Sequence, residues 1–129
     1  MAIPFGVIGH FGISVRDPQA SAAWWSELGL KELFTFDEGV AIGNDSITLV
    51  LYRGTPSPKT IGHVSFHLPT MAALRNALAT LQRHGVDVED PDDPIGPEAP
   101  GSPHLGVWFH DPDGYRWELS VQNGANERA

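Results

Sequence analysis

The sequence predicts an α+β fold in which two tandem βαβββ modules form a curved, partly open mixed sheet around a cleft, with the helices outside. The first observation is an internal repeat, because residues 8–15 (IGHFGISV) resemble residues 61–68 (IGHVSFHL). The second is that apolar residues at helical spacing follow each copy. The third is that each helix is followed by three short apolar segments with turn residues between them, a pattern typical of strands.

The first module begins with a strand at residues 8–15. Asp17 and Pro18 indicate a helix start, because a short polar side chain caps free backbone amides and proline suits the first helical turn. The helix spans residues 19–28 and ends at Gly29, a common residue after the last helical turn. The strands that follow are predicted at 33–36, 40–42 and 47–52.

The second module repeats this order. After the strand at 61–68, Thr70 is a capping residue for a helix at 71–84, which ends at Gly85. Strands are predicted at 86–88, 105–110 and 115–121. The sequence Asp-Pro-Asp-Gly at residues 111–114 predicts a tight turn, so the last two strands should form a hairpin. Residues 91–103 are rich in proline and glycine and are interpreted as a lid or binding loop.

A chain of 129 residues is long enough to bury a core as one domain without disulfides. The segment between the modules, Gly-Thr-Pro-Ser-Pro-Lys, has the composition of a linker. We therefore predict a single domain over residues 1–129. Its parts are module one at 6–54, a linker at 55–60, module two at 61–122 and a frayed tail at 123–129.

The composition narrows the classes of partner. The net charge is −8 and the few basic residues are scattered, which disfavours binding to nucleic acid or to an anionic membrane. Cysteine is absent, which excludes thiolate chemistry and permits a reducing cytosol. No segment approaches the roughly 20 apolar residues of a membrane span. We expect a soluble cytoplasmic protein whose partner is a small-molecule substrate or drug.

Three polar residues stand out against apolar neighbours. Strand alternation separates His10 from Phe11, His63 from Val64 and Glu118 from Trp117, so the three lie on faces opposite the apolar rows. If those faces curve around one cleft, the three side chains meet there. Two imidazoles and one carboxylate bind Fe(II), Mn(II) or Zn(II) and leave positions open for water or substrate. A lone strand histidine is more often a surface or hydrogen-bonded residue, but two at matching repeat positions favour a metal site.

Several short runs accompany these three residues: Gly9-His10, the run Ala23–Leu30 (AWWSELGL), Gly62-His63, His84-Gly85-Val86 and, most specifically, Phe109–Leu119 (FHDPDGYRWEL). Together they resemble the vicinal-oxygen-chelate superfamily of glyoxalase I, fosfomycin-resistance proteins, bleomycin-resistance proteins and extradiol dioxygenases. The resemblance covers Ile8 to Val121 and implies metal ligands at His10, His63 and Glu118, and a homodimer.

The chain departs from the glyoxalase I pattern at one position. Aligning the two halves places Leu49 opposite Glu118, where glyoxalase I and related epimerases usually have a fourth, acidic or amide ligand. Three ligands resemble extradiol dioxygenases and fosfomycin-resistance enzymes instead, and no cluster of cationic residues is evident to hold a phosphonate. The resemblance therefore favours an extradiol-dioxygenase-like or lyase-like enzyme acting on a small oxygen-chelating substrate, with Fe(II) as the first choice of metal. Ring-cleaving members usually have four modules, which counts against a direct transfer.

Further residues are candidates for a role in the cleft. His67, His104 and His110 are candidates for proton transfer, although a structural histidine is the more common case. Leu49 and Trp108 would give the cleft an apolar lining suited to a flat ligand.

Two functions remain open at this point, besides the possibility of a structural module with a vestigial triad. One is the metal-dependent enzyme, and the other is an antibiotic-sequestering protein of the bleomycin-resistance type without catalysis. The cleft is built either within one chain or across a homodimer.

Overall fold

The computed structural model describes residues 2–127, which fold as two compact units that divide between Pro56 and Ser57. The division falls inside the predicted linker. Each unit contains one helix and one open mixed sheet, of four strands in the first and five in the second. The predicted α+β fold is therefore confirmed. No helix within residues 2–127 has the length and apolar character needed to cross a membrane.

The first unit follows the order βαβββ. Its sheet order is β1-β4-β3-β2, with β1 parallel to β4 and the other pairs antiparallel. Because β1 and β4 are not consecutive, the chain crosses the sheet through the helix before it forms the meander of the last three strands. The elements are β1 Phe11–Val15, α1 Pro18–Leu28, β2 Lys31–Phe36, β3 Gly39–Gly43 and β4 Thr48–Arg53.

Local signals in the sequence set the bounds of α1. The Asp17 carboxylate accepts hydrogen bonds from the amides of Gln19 and Ala20, at 3.1 and 3.2 Å. Gly29 ends the helix with a φ of 110°, a left-handed conformation that glycine adopts without strain. The helix buries Trp25 in the core that also contains Val15 and Leu51. The sheet face under α1 thus lies in the core of this unit.

The second unit has the same topology, because its sheet order is β5-β9-β8-β6, with β5 parallel to β9. The Thr70 hydroxyl caps α2 at the amide of Ala73, as the sequence predicts. Its core contains Leu74, Val107 and Trp117. The elements are β5 Val64–His67, α2 Met71–Arg83, β6 Asp87–Val88, β7 Gly96–Pro97, β8 Leu105–His110 and β9 Arg116–Val121, with 3-10 turns at Pro58–Thr60 and Gly124–Asn126.

The turn between β8 and β9 is organised by one buried carboxylate. Asp111 Oδ1 accepts hydrogen bonds from the amides of Asp113 and Tyr115, and Oδ2 accepts one from the Trp117 indole at 3.0 Å. Gly114 completes the turn with a φ of 90°. The predicted hairpin over residues 105–121 is confirmed, and its turn is fixed to the core through Trp117.

Two segments differ from the expectation. The proline-rich segment 91–103 contains the short strand β7, which pairs with β8 and is therefore part of the sheet. The predicted tail is not frayed over residues 123–127, because Gly124 is buried and the Glu127 carboxylate accepts a hydrogen bond from the Met71 amide at 2.9 Å. That bond caps the start of α2. Residues 128 and 129 of the predicted tail lie outside the described part of the chain.

Candidate functional site

Each sheet has one face under its helix and an opposite face that carries the polar candidates. The predicted ligands divide between the units, with His10 in the first and His63 and Glu118 in the second. His10 and His63 both lie one residue before a strand rather than within it, since β1 begins at Phe11 and β5 at Val64. Both imidazoles are exposed. Their matching positions follow from the matching topology of the units.

In the first unit, the face opposite α1 forms an aromatic groove of about 420 Å³ that includes His10. The Phe36 and Tyr52 rings meet edge to face, with centroids 5.6 Å apart, and Phe34 is 6.2 Å from Phe36. Phe34 is 57% exposed, so the groove presents apolar surface to solvent. The residues that line it are Gly9, His10, Phe34, Phe36, Thr48, Val50 and Tyr52.

The strand registers correct the predicted alignment of the two halves by one residue. Gly12 pairs with Val50 in the first unit, and the equivalent Ser65 pairs with Glu118 in the second. Val50, not Leu49, is therefore the counterpart of Glu118. Leu49 is 2% exposed on the core side and is not among the residues that line the groove. A valine cannot coordinate a metal either, so the first unit still supplies no counterpart of the carboxylate.

Glu118 is the most unusual polar residue of the second unit. It is 1% exposed, and its Oε2 atom has no hydrogen-bond partner. Burial raises the pKa of this carboxyl, against the opposing effects of a hydrogen bond with the Ser65 side chain and of the charge of His63. The Cα of Gly106 leaves room for the carboxylate, because a Cβ there would overlap Oε2. Ser65 is also linked to Ser120, with the two hydroxyl oxygens 3.0 Å apart.

His63 lies against Trp108, the residue of β8 that pairs with Glu118. The two ring centroids are 4.7 Å apart and the rings are nearly perpendicular, at 79°. The guanidinium of Arg116 covers the Trp108 ring, with Cζ 3.9 Å from its centroid. Trp108 thus sits beside both predicted ligands of the second unit, as half-buried aromatic surface.

Arg116 is held in turn by Glu89, from the segment after β6. Its Nε and Nη2 atoms donate to the two carboxylate oxygens at 2.7 and 2.9 Å. His110 Nε2 lies 2.9 Å from the same carboxylate. The hydrogen bond with Arg116 lowers the pKa of Glu89 most, and the contact with His110 adds to it. Sequence inspection missed Glu89 because its partner, Arg116, lies 27 residues away in the chain.

The three histidines proposed for proton transfer have different surroundings. His104 Nδ1 accepts a hydrogen bond from the Asn123 amide at 2.9 Å, which ties it to the turn after β9. His110 contacts Glu89, as described above. His67 is exposed at the end of β5, and its Nδ1 atom lies 3.4 Å from the side-chain nitrogen Nε2 of Gln122. His67 shares the face of Ser65 and is therefore the candidate nearest in the strand to His63.

The donor set fits a divalent metal in its chemistry. An unpartnered carboxylate oxygen that is fully buried is costly unless a proton or a cation satisfies it. The nearest imidazole that the contacts connect to it is His63, which lies against Trp108, the partner of Glu118 across the hairpin. Within residues 2–127, however, no three His, Asp or Glu side chains gather closely enough to form a metal-binding group. The second unit supplies two ligands of the predicted three, and His10 belongs to the first unit.

Comparison with known proteins gives a consistent family assignment. The family model of the Glyoxalase/Bleomycin resistance protein/Dioxygenase superfamily matches residues 7–119. No curated protein matches the chain in a sequence search.

Three solved structures show the same fold. The fosfomycin resistance protein FosX from Listeria monocytogenes superposes with a TM-score of 0.73 at 15% identity, covering 91% of this chain and 93% of that one. Lactoylglutathione lyase from Agrobacterium tumefaciens gives 0.73 at 17% identity, with 94% and 97% covered. The oxidase ChaP-H2 gives 0.68 at 19% identity, with 92% and 95% covered.

At these identities the similarity establishes the fold and leaves the reaction open, since the three proteins carry different names and activities. The family model, in contrast, spans nearly the whole chain of 129 residues. This chain belongs to the Glyoxalase/Bleomycin resistance protein/Dioxygenase superfamily.

Proposed function

We propose that this chain is a metal-dependent enzyme that acts on a small oxygen-chelating substrate, by extradiol-dioxygenase-like or lyase-like chemistry. His10, His63 and Glu118 are the proposed ligands. The observation that carries the proposal is the buried Glu118 carboxylate, whose Oε2 has no hydrogen-bond partner. Glu118 pairs across the hairpin with Trp108, whose ring contacts His63. A cation would satisfy this oxygen and favour the charged form of the carboxyl.

The proposed metal is Fe(II), with Mn(II) or Zn(II) as the alternatives that this donor set also suits. When bound, such an ion polarises substrate oxygens that chelate it. The chain's own contribution is to hold a carboxylate in a dry setting, because Glu118 is 1% exposed and Gly106 leaves room for its Oε2. His67 is proposed to transfer a proton, since it is exposed and its contact with Gln122, at 3.4 Å, is longer than the 2.9 Å contacts that hold His104 and His110.

The aromatic groove supports a substrate with a flat apolar part. Phe34, Phe36 and Tyr52 present ring surface beside His10, one of the proposed ligands. Aromatic rings pack favourably against a planar ligand. A catechol-type molecule combines two chelating oxygens with such a ring.

Metal analysis of protein purified without added metal tests the proposal. We expect the wild type to contain close to one equivalent of metal and the variant Glu118→Gln to lose most of it, because the site loses its charged ligand. Glu32→Gln, an exposed carboxylate of β2, is the matched control and should keep the metal. Equal metal content in the wild type and Glu118→Gln would contradict the proposal. Oxygen uptake with catechol as the probe then separates oxygenase from lyase chemistry.

A second candidate function is sequestration of a planar drug without catalysis, which the exposed aromatic groove favours. Calorimetric titration with bleomycin distinguishes it. Tight binding that Glu118→Gln leaves unchanged and Phe36→Ala abolishes, in protein without metal, would support sequestration over the enzyme.

The proposed assembly is a homodimer. Large apolar side chains before β1 are exposed, with Phe5 at 87% and Val7 at 96%. Covering such side chains in an interface is favourable. Sedimentation equilibrium of the wild type and of Phe5→Ser, which should weaken self-association, tests this assembly.

A further inference from the structure

We infer that Glu89 is a positioning residue for the candidate metal site: it holds Arg116 over Trp108, and Trp108 fixes the orientation of the His63 imidazole. The inference rests on the proposed function in so far as His63 is a metal ligand. Three consecutive contacts join the segment after β6 to the residue before β5.

The first contact is the paired hydrogen bond between Glu89 and Arg116. Nε donates to Oε2 at 2.7 Å and Nη2 donates to Oε1 at 2.9 Å, so both carboxylate oxygens are used. A two-point contact of this kind fixes the plane of the guanidinium as well as its position. His110, at 2.9 Å from Oε2, holds the carboxylate from a further side.

The second contact places that guanidinium over an aromatic ring. Arg116 Cζ lies 3.9 Å from the centroid of Trp108, well within the range of a cation–π contact. His110 and Arg116 pair across the hairpin, as do Trp108 and Glu118. His110 and Trp108 are two residues apart on β8 and therefore share a face of the sheet. Arg116, as the partner of His110, lies on that same face. A planar group held over Trp108 restricts the rotation of the indole.

The third contact is between Trp108 and His63. Their ring centroids lie 4.7 Å apart at an angle of 79°, an edge-to-face arrangement. His63 precedes β5 and is exposed, so strand pairing does not set the direction of its side chain. The indole therefore supplies the orientation. A ligand histidine needs such support, because the partners around a metal ligand contribute to metal affinity.

Nuclear magnetic resonance of the metal-free protein tests the chain of contacts directly. The imidazole resonances of His63, assigned by their loss in His63→Asn, should shift in Glu89→Gln and in Arg116→Lys. The lysine keeps the charge but loses the planar two-point contact. Asp92→Asn, which removes an exposed charge from the same segment, is the control and should leave the resonances in place. Unshifted His63 resonances in both test variants would overturn the inference.

Titration with Mn²⁺ alone provides the second measurement. Loss of a supporting residue typically weakens metal binding by about 10-fold or more, and we expect this of Glu89→Gln relative to Asp92→Asn. Equal affinities in the two variants would overturn the role of Glu89 at the metal site. A wild type that binds no Mn²⁺ would contradict the proposed function, and the resonances of His63 would still decide whether Glu89 orients its ring.

Discussion

At the scale of single residues, the second unit depends on carboxylates in three different environments. Glu118 is buried and one of its oxygens has no hydrogen-bond partner. Asp111 is buried and accepts three hydrogen bonds. Glu89 is half-buried and is paired with the guanidinium of Arg116. Burial raises the pKa of the first two, whereas the hydrogen bond from Arg116 lowers the pKa of Glu89. The environment therefore distinguishes a candidate ligand from a structural carboxylate and from a positioning one.

Asp111→Ala should lower the free energy of unfolding by about 1–3 kcal/mol, because buried donors of the turn lose their acceptor. The Trp117 indole is among these donors. In a Trp117→Phe background the same substitution should cost less, since one donor is already gone. Urea unfolding of the wild type, Asp111→Ala, Trp117→Phe and the double variant measures the difference between the two costs. Equal costs in the two backgrounds would show that the bond between the carboxylate and the indole does not contribute.

Glu89 is expected to make the free energy of unfolding decrease at acid pH. Its pKa is lowered in the folded chain from an ordinary value of 4.5, so the unfolded chain takes up the proton first as the pH falls. The stabilisation is therefore present above about pH 4.5 and is lost as the pH falls through the lowered pKa. Between pH 6 and pH 3, the free energy of unfolding should fall by more in the wild type than in Glu89→Gln. The difference between the two is the stabilisation that the Glu89 carboxylate loses when it is protonated. Parallel pH profiles from urea unfolding would contradict the assignment.

At the scale of elements, each helix is set by its caps and each sheet by the crossover that the helix forms. Asp17 and Thr70 start the helices, and Gly29 ends the first one. The second helix has an additional acceptor in Glu127, which reaches the Met71 amide from the 3-10 turn after β9. The end of the chain thus contributes to the start of α2, and a negative charge there also suits the helix dipole.

Glu127→Ala should reduce the stability of the second unit by about 0.5–1 kcal/mol, because the Met71 amide loses its partner. Glu127→Gln keeps an acceptor oxygen and should recover part of the loss, which separates the hydrogen bond from the charge. Hydrogen exchange of the first turn of α2 provides the local measurement. Exchange rates there that match the wild type in Glu127→Ala would rule out the cap.

At the scale of the whole molecule, two units of the same topology carry different chemistry on equivalent faces. The first has His10 beside aromatic rings, and the second has His63 against Trp108, which pairs with the buried Glu118. The position equivalent to Glu118 is Val50. The equivalent faces of the two units have therefore diverged, since the first carries an apolar side chain where the second carries a carboxylate.

If the proposed site is correct, Mn²⁺ should raise the melting temperature of the wild type, and His10→Ala and His63→Ala should each abolish that rise. A ligand at 100 times its Kd stabilises the folded state by about 2.7 kcal/mol, and removal of one ligand histidine from either unit weakens the binding that gives this gain. His84→Ala, an exposed histidine at the end of α2, is the control and should respond as the wild type does. A full Mn²⁺ response in His10→Ala would exclude the first unit from the site.

Much of the fold could be predicted because its signals are local. The caps at Asp17 and Thr70, the glycine after α1 and the Asp-Pro-Asp-Gly turn act within a few residues, and the structure confirms each of them. The internal repeat then fixed the topology, since two similar segments favour the same pairing. The shared position of His10 and His63 before their strands follows from the same repeat.

The sequence by itself determined the family, the βαβββ order and the residue types of the candidate site, because these depend on short-range patterns and on side-chain chemistry. Only the tertiary structure decided the register that pairs Gly12 with Val50, the burial of Glu118 and the contact between Glu89 and Arg116. These features join residues far apart in the chain. They are set by strand pairing and packing, which periodicity along one segment does not encode.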